Sequence, residues 1–277
     1  MKRFKNLAAM SLAAATVAGC LFMPAGIVKA DGEGLEINEE NFEDEIFIKY
    51  ARGCDLNEDG YLSDEELGMA KIFVIQNTKL KSLKGIEHFY NLESINILES
   101  SVSHVDLSKN TKLKSVEITN SKLEEIDVSM LSDLENLNVY NNQITSLDLS
   151  NNTSLLFLNC KYNRIHDTLN LKNNMFLKTV DCSSNQWLTQ IDFYCPFLRK
   201  LNCSCDHVSK IDFSDFLSLE ELDIGDTDLV SIDLSENKNL KYLQIDGMRS
   251  EKLSRDLDLS GCTKLQTLIA GLNNFNS

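Results

Sequence analysis

Proline is almost missing from this sequence: Pro24 and Pro196 are the only two among 277 residues. No proline-rich linker therefore divides the chain. Positive charge is also short, with 27 Lys and Arg against 42 Asp and Glu. Phosphate binding needs a basic face, so nucleic acid is excluded as a main partner, and an anionic membrane surface with it. The four histidines, His88, His104, His166 and His207, are scattered. No nucleophile elbow, zinc helix motif or phosphate loop occurs, so the chain is not expected to be an enzyme. The run "CDH" at 205–207 holds reactive residue types, but neighbours on one segment do not make a triad. A zinc site from Cys203, Cys205 and His207 has no usual zinc spacing either.

The first thirty residues differ from the rest. Lys2, Arg3 and Lys5 precede an apolar run from Leu7 to Phe22, and "IVKA" puts Val28 and Ala30 at small-residue cleavage positions. This is the pattern of a secretory signal peptide over residues 1–30. A second reading is a lipoprotein box, "TVAGC", ending at Cys20, although apolar Leu21, Phe22 and Met23 follow where a polar tether is usual. Cleavage after Ala30 removes four positive charges and no negative ones, leaving 23 basic and 42 acidic residues, a net charge of −19. Seven cysteines remain, an odd number that does not make a disulfide framework.

From residue 70 onward the chain repeats itself. Leu92, Leu113, Leu134, Leu155, Leu177, Leu198, Leu219, Leu240 and Leu265 each open a unit; the period is 21 residues, stretched to 22 after Leu155 and to 25 after Leu240. An apolar pair follows at the fourth and sixth positions, such as Leu137 and Val139 or Leu158 and Cys160. Asn is frequent at the ninth, as at Asn142, Asn163, Asn185 and Asn273, and an apolar residue at the eleventh. A second pair comes later, as in Leu147 and Leu149. Each pair has the period of a strand with one face inward. A single unit cannot bury its apolar edge, whereas stacked units form one core. A ninth-position Asn can bond the backbone of the neighbouring coil. Cys160, Cys182 and Cys203 share the sixth position and are expected in the core as small hydrophobes.

One stretch stands apart. "DLNEDGYLSDEE", residues 55–66, places Asp55, Asn57, Asp59, Tyr61, Ser63 and Glu66 at positions 1, 3, 5, 7, 9 and 12 of a loop with Gly60 at position 6. These are the positions of a calcium loop: hard oxygens from side chains, a carbonyl from position 7, and a bidentate Glu at 12. Ser63 and Glu66 also spell a helix capping box. Before the loop, Ile46, Phe47 and Tyr50 share a helix face; after it, Leu67 and Ala70 face inward. "KIFVIQNTKLKSLKGIEHFYN" then matches a first coil, with Phe73 and Ile75 at the strand positions. Terminal repeats need a cap, and the helix–loop–helix is expected to supply it. Leu62, lacking a sister loop, is expected to pack on the first coil.

The repeat is the leucine-rich repeat pattern. Together with the loop, the sequence resembles secreted or surface-displayed bacterial leucine-rich repeat proteins that carry an EF-hand-like or dockerin-like amino-terminal module, and more distantly the internalins. The expected fold is therefore an α/β-type solenoid, mostly short parallel β-strands, with an EF-hand-like helix–loop–helix cap. The expected division is a signal peptide at 1–30, the cap at 31–69 and the repeat solenoid at 70–277. Its carboxy end, "LQTLIAGLNNFNS", carries no cap or sorting signal. The resemblance implies a non-enzymatic recognition protein, secreted or at the cell surface, with its ligand across the concave strand face and Ca2+ held by Asp55, Asn57, Asp59, Tyr61, Ser63 and Glu66.

The outward column of the first strand supplies the candidate ligand face. It runs Asn96, Glu117, Asn138, Asn159, Asp181, Asn202, Asp223 and Gln244, with Tyr140, Phe157, Tyr162 and Tyr242 nearby. Amides and carboxylates beside aromatic rings suit a protein or a glycan. A second column, Asp106, Asp127, Asp148, Asn170, Asp192, Asp212, Asp233 and Asp258, reads as a hydrated face that keeps the sheet soluble. The alternative to a binding module is a surface assembly protein acting through self-association.

Overall fold

The computed structural model describes residues 34–247 and 257–271. Residues 1–30, expected to be a signal peptide, lie outside the described residues, as do Met248, Asn273 and the end of the tail.

The chain opens with β1 (Leu35–Glu36), α1 (Glu45–Arg52), β2 (Tyr61–Leu62) and α2 (Asp64–Met69). The strands that follow are β3 (Ile72–Gln76), β4 (Ser94–Leu98), β5 (Ser115–Thr119), β6 (Asn136–Asn138), β7 (Phe157–Asn159), β8 (His166–Leu171) and β9 (Thr179–Asp181). After them come β10 (Trp187–Phe193), β11 (Lys200–Asn202), β12 (Glu221–Asp223), β13 (Tyr242–Gln244) and β14 (Thr267–Ile269). Setting aside β8 and β10, every strand from β3 onward joins one ten-stranded parallel sheet in chain order. Fourth-position residues stand opposite one another throughout: Ile95 with Val116, Leu137 with Leu158, Val180 with Leu201, Leu222 with Leu243. The 21-residue period is thus one turn of a β-solenoid, and its inward residues form a single continuous core.

Two columns of polar side chains run inside this core. The ninth-position Asn forms the first. Asn163 Nδ2 donates to Val139 O of the preceding coil at 2.8 Å and to Cys160 O of its own at 3.0 Å, while its Oδ1 accepts from Ile144 N at 3.0 Å. Asn142 and Asn185 repeat the arrangement. The second column stands three residues before each opening leucine: Asn110, Asn152, Asn174 and Asn237, all fully buried. Asn152 Nδ2 donates to Val128 O and Leu131 O, both at 2.9 Å. Cys195 and Cys262 take the same position, and their thiols point to the same kind of carbonyl, Cys195 Sγ lying 3.5 Å from Asn174 O. Leu131 and Phe216 fill it in two other coils.

The eighth position also repeats. Glu99, Asn120, Asn141, Tyr162, Ser184, Cys205, Asp226 and Gly247 all have φ between 51° and 68°. Only one is glycine. The left-handed conformation costs about 1–2 kcal/mol per non-glycine residue, and the ladder closing just behind it holds the turn in place.

The second apolar pair is a regular strand only in β8 and β10, which pair in parallel. In the other described coils it lines the core without a ladder. Where β10 meets β8 the register slips between Leu188 and Gln190. Leu188 takes the inward place and Trp187 stands 56% exposed.

The amino-terminal segment packs on the first coil through aromatic rings. Phe47 of α1 meets Phe73 of β3 edge-on at 5.8 Å, and Phe73 meets Phe89 at 4.7 Å. The buried stripe of α1 is Phe47, Ile48 and Ala51, with Ile46 and Tyr50 only partly covered. Asp44 caps α1 with one oxygen and accepts from Lys81 N of the first coil with the other, at 2.8 Å each. At Gly85, φ +103°, any side chain would run into the Phe42 ring. Leu62 is fully buried, and its backbone is paired: β2 forms an antiparallel bridge with β1, Leu62 opposite Leu35. The strand partner of β2 is supplied by the residues ahead of α1.

Asn152→Ala removes two buried hydrogen bonds between coils. It should lower the unfolding free energy by about 1–3 kcal/mol, read as a fall in urea midpoint without a change in slope.

Candidate functional site

The outward column of the sheet is held by its own backbone. Asn138 Oδ1 accepts from Tyr140 N at 3.3 Å, and Asn159 Oδ1 from Lys161 N at 3.2 Å. Asp181 Oδ1 accepts from Ser183 N and Oγ, at 3.1 and 2.6 Å, and Asn202 Oδ1 from Ser204 N and Oγ, at 3.0 and 2.8 Å. Asp223 Oδ1 accepts from Gly225 N at 3.2 Å. An N–H can only point at an acceptor, so each amide is oriented with its oxygen inward. What faces outward is then decided by residue type: the NH2 groups of Asn138, Asn159 and Asn202, and the second oxygens of Asp181 and Asp223.

The structure brings the sequence-predicted residues onto this one face. Phe157 pairs across the sheet with Asn136, and Tyr242 with Glu221, on the column beside the central one. Tyr140 and Tyr162 meet edge-to-face at 5.8 Å just beyond β6 and β7. Sequence reasoning missed Lys161, whose Nζ sits 5.1 Å from the centre of the Tyr162 ring. It also missed the small residues Ser183, Ser204 and Gly225 that fix the column. Every residue but proline supplies a backbone N–H there, so no residue type marked the role.

The two carboxylates are perturbed. Burial raises the Asp181 carboxyl, against the hydrogen bonds from Ser183 and the nearby charge of Lys161. Burial pushes Asp223 up to about 6, and the charges of Asp246 and Asp181 add to it; the Gly225 N–H and Lys161 oppose. Asp223 is 6% exposed and Asn202 8%. Among the described residues neither Asp181 nor Asp223 enters an ion pair.

The other aspartate column is built differently. Asp106, Asp127, Asp148, Asp212, Asp233 and Asp258 each accept the N–H of the serine two residues on, at 2.8–3.0 Å. The serine N–H and hydroxyl together hold all six carboxyls below the usual range, the hydroxyl leading at Asp127 and Asp212. Asp192 instead pairs with Lys172 at 2.8 Å. These residues make turns; the hydrated-face reading left out that structural work.

The acidic loop is closed by its own carboxylates. Asp55 Oδ2 accepts from Gly60 N at 2.9 Å, Asp59 Oδ1 from Tyr61 N at 2.9 Å, and Glu66 Oε1 from Leu56 N at 2.7 Å. Glu66 Oε2 accepts from Ser63 N and Oγ, completing the capping box with α2. Gly60 takes φ +86°, with open space where a side chain would stand. The donors are hard oxygens of the kind calcium takes. As they stand they face backbone amides, and among the described residues no three His, Cys, Asp or Glu side chains converge to hold a metal. Cys203 is buried, Cys205 exposed, and His207 Nδ1 lies 2.7 Å from Asp228 Oδ2, so those three do not form a site. Cys54 and Cys195 are buried; burial pushes the Cys195 thiol up to about 11.

The two aspartate columns respond to acid with opposite sign. The turn aspartates have lowered folded-state values, so their stabilisation is fully present above about 4 and is lost as pH falls below that, through the folded-state values. Asp223 is raised, so ionising it opposes folding: its contribution is fully favourable below about 4 and is lost as pH rises to about 6. Asp223→Asn should therefore raise the unfolding free energy by about 2–3 kcal/mol at pH 7.5 and leave it nearly unchanged at pH 4. Urea unfolding of both proteins at the two pH values measures this.

No protein-family model matches the sequence, and no curated protein does. Solved structures match the fold. The functional domain of InlJ from Listeria monocytogenes, which includes a cysteine ladder, is 22% identical over 87% of this chain and 72% of its own, with a TM-score of 0.54. Internalin C2 of the same organism is 18% identical over 87% and 99%, with a TM-score of 0.59. A plant peptide hormone receptor, RGFR1, in complex with RGF2 is 21% identical over 74% and 36%, with a TM-score of 0.64. Among the described residues no helix is long and apolar enough to cross a membrane. At these identities the likeness is one of architecture, and it is that of a leucine-rich repeat solenoid.

Proposed function

We propose that this chain is an exported, non-enzymatic recognition protein whose sheet face binds a protein or glycan ligand, with a structural calcium in the loop of residues 55–66. One observation carries the binding role: five successive outward side chains, from Asn138 to Asp223, each have one polar atom locked to the backbone and a second that no backbone group holds. Such a column is pre-oriented, so a ligand pays little ordering entropy for it. Tyr140, Phe157, Tyr162 and Tyr242 add flat apolar area beside it. The neighbour bound to RGF2 supports the reading as a use of the same fold.

In the loop, Asp55, Asn57, Asp59 and Ser63 would offer side-chain oxygens, Tyr61 its carbonyl and Glu66 both carboxylate oxygens. Bound there, calcium supplies positive charge that offsets the repulsion among Asp55, Asp59 and Glu66. The β1–β2 bridge and the Phe47–Phe73 contact tie the loop's surroundings to the first coil. Export rests on the composition of residues 1–30, with lipidation of Cys20 as the second anchoring mode. Self-association keeps one supporting observation, the exposure of Leu268 and Ile269 on β14, 45% and 37%.

Two measurements test this. Residues 31–277 should melt about 3–6 °C higher in millimolar calcium than in excess chelator, and Glu66→Gln should abolish the difference; an identical melt removes the structural calcium. Protein and glycan arrays probed in calcium should yield ligands lost on Asn159→Arg but kept on Ser150→Arg, which lies off the face. Ligands indifferent to Asn159→Arg would place recognition elsewhere.

A further inference from the structure

We infer that the part of the face formed by β9, β11 and β12 recognises a basic peptide segment of a protein ligand, seating two cationic side chains on Asp181 and Asp223 and a backbone carbonyl on Asn202. This rests on the sheet face being the binding surface and goes on to name the chemistry it selects.

The three residues stand in register on adjacent strands, Asp181 opposite Asn202 and Asn202 opposite Asp223. Their inward oxygens are taken by Ser183, Ser204 and Gly225. Outward they present Oδ2, Nδ2 and Oδ2: an acceptor, a donor and an acceptor at strand spacing, about 4.8 Å apart. The carboxylates are thus about 10 Å from each other, too far for one guanidinium and suited to two basic side chains of one segment.

A second observation points outward to a ligand. Asp223 is more than nine-tenths buried, yet its Oδ2 has no hydrogen bond or ion pair and is not sealed from solvent. A carboxylate in that position has lost most of its water and gained only the Gly225 N–H in return, and its carboxyl is raised to about 6. An arriving cation offsets that cost, and the poorly hydrated site strengthens the attraction. Among the described residues no base pairs with it, although the charge of Lys161 partly offsets its own. Lys161 lies at the Tyr162 ring, and Lys200 and Lys241 are paired with Glu221 and Glu220, both at 2.7 Å. The donor in the middle argues against a polyamine, whose N–H groups would meet the Asn202 NH2; a peptide offers a carbonyl there.

The test is calorimetric titration of residues 31–277 in calcium with a blocked tetra-arginine peptide, with spermine, and with a tetra-glutamate peptide. Tetra-arginine should bind, more tightly than spermine, and tetra-glutamate should not. Asp181→Asn and Asp223→Asn keep the inward oxygen and the fold; each should weaken tetra-arginine about tenfold or more. The double variant Asp212→Asn and Asp233→Asn, on the other column, should bind as the parent does. Equal losses in both sets of variants would mean diffuse attraction to an acidic protein and would overturn the inference. So would spermine binding as tightly as the peptide. If tetra-arginine fails while an array ligand is still lost on Asn159→Arg, the basic-peptide inference falls and the sheet face stands. If Asn159→Arg changes nothing for any ligand, the face itself falls.

Discussion

The structure depends on one constraint: a coil of about 21 residues turns so tightly that some backbone groups inside it have no strand partner. Buried unpaired amides and carbonyls each cost more than a typical hydrogen bond gains. Here a side-chain amide, present in several of the turns, settles the matter at two corners. Asn142, Asn163 and Asn185 tie one corner, and Asn110, Asn152, Asn174 and Asn237 the other. Each reaches carbonyls of the coil before it, so the same bonds that close a turn also stack the turns. Without them the leucines would still be apolar, but nothing would hold their register.

That constraint explains which parts of the fold were legible. The leucine period and the ninth-position Asn are side-chain facts repeated many times, and register follows from them directly. The second Asn column is equally periodic, yet its alternates are Leu131, Cys195, Phe216 and Cys262, which hide it unless hydrogen-bond need is tracked rather than residue identity. Cys195 is intelligible only there, as a weak donor standing where an amide usually stands. The left-handed column at the eighth position was invisible for the opposite reason. Glu99, Tyr162 and Cys205 are not residues that announce a positive φ, because the turn is imposed by the ladder and not by local preference.

The candidate sites divide along the same line. The residues of the sheet face could be named from the alternation of a strand, which places them without orienting them. Orientation came from the residue two positions later, a backbone N–H that the sequence supplies everywhere and therefore does not mark. The acidic loop was read from its oxygen donors, and its spacing is reflected in the way Asp55, Asp59 and Glu66 fold back on the loop's amides. What spacing did not disclose was the partner of β2. A bridge to Leu35 depends on the chain doubling back ahead of α1, and no motif encodes that.

Aspartate shows how one residue type is put to two uses by its surroundings. On one side of the coil it accepts a serine N–H in open water, is held ionised, and stabilises the turn. On the sheet face Asp181 and Asp223 make nearly the same local bond, but in a crowded strand row where water is excluded. The neighbours at this level are mostly Asn, which offers the same inward oxygen without a charge. Folding alone would be served at least as well by Asn at both positions. Two carboxylates kept against that preference, with an oxygen each still uncommitted, are the clearest sign that this stretch of the face answers to something other than the stability of the stack.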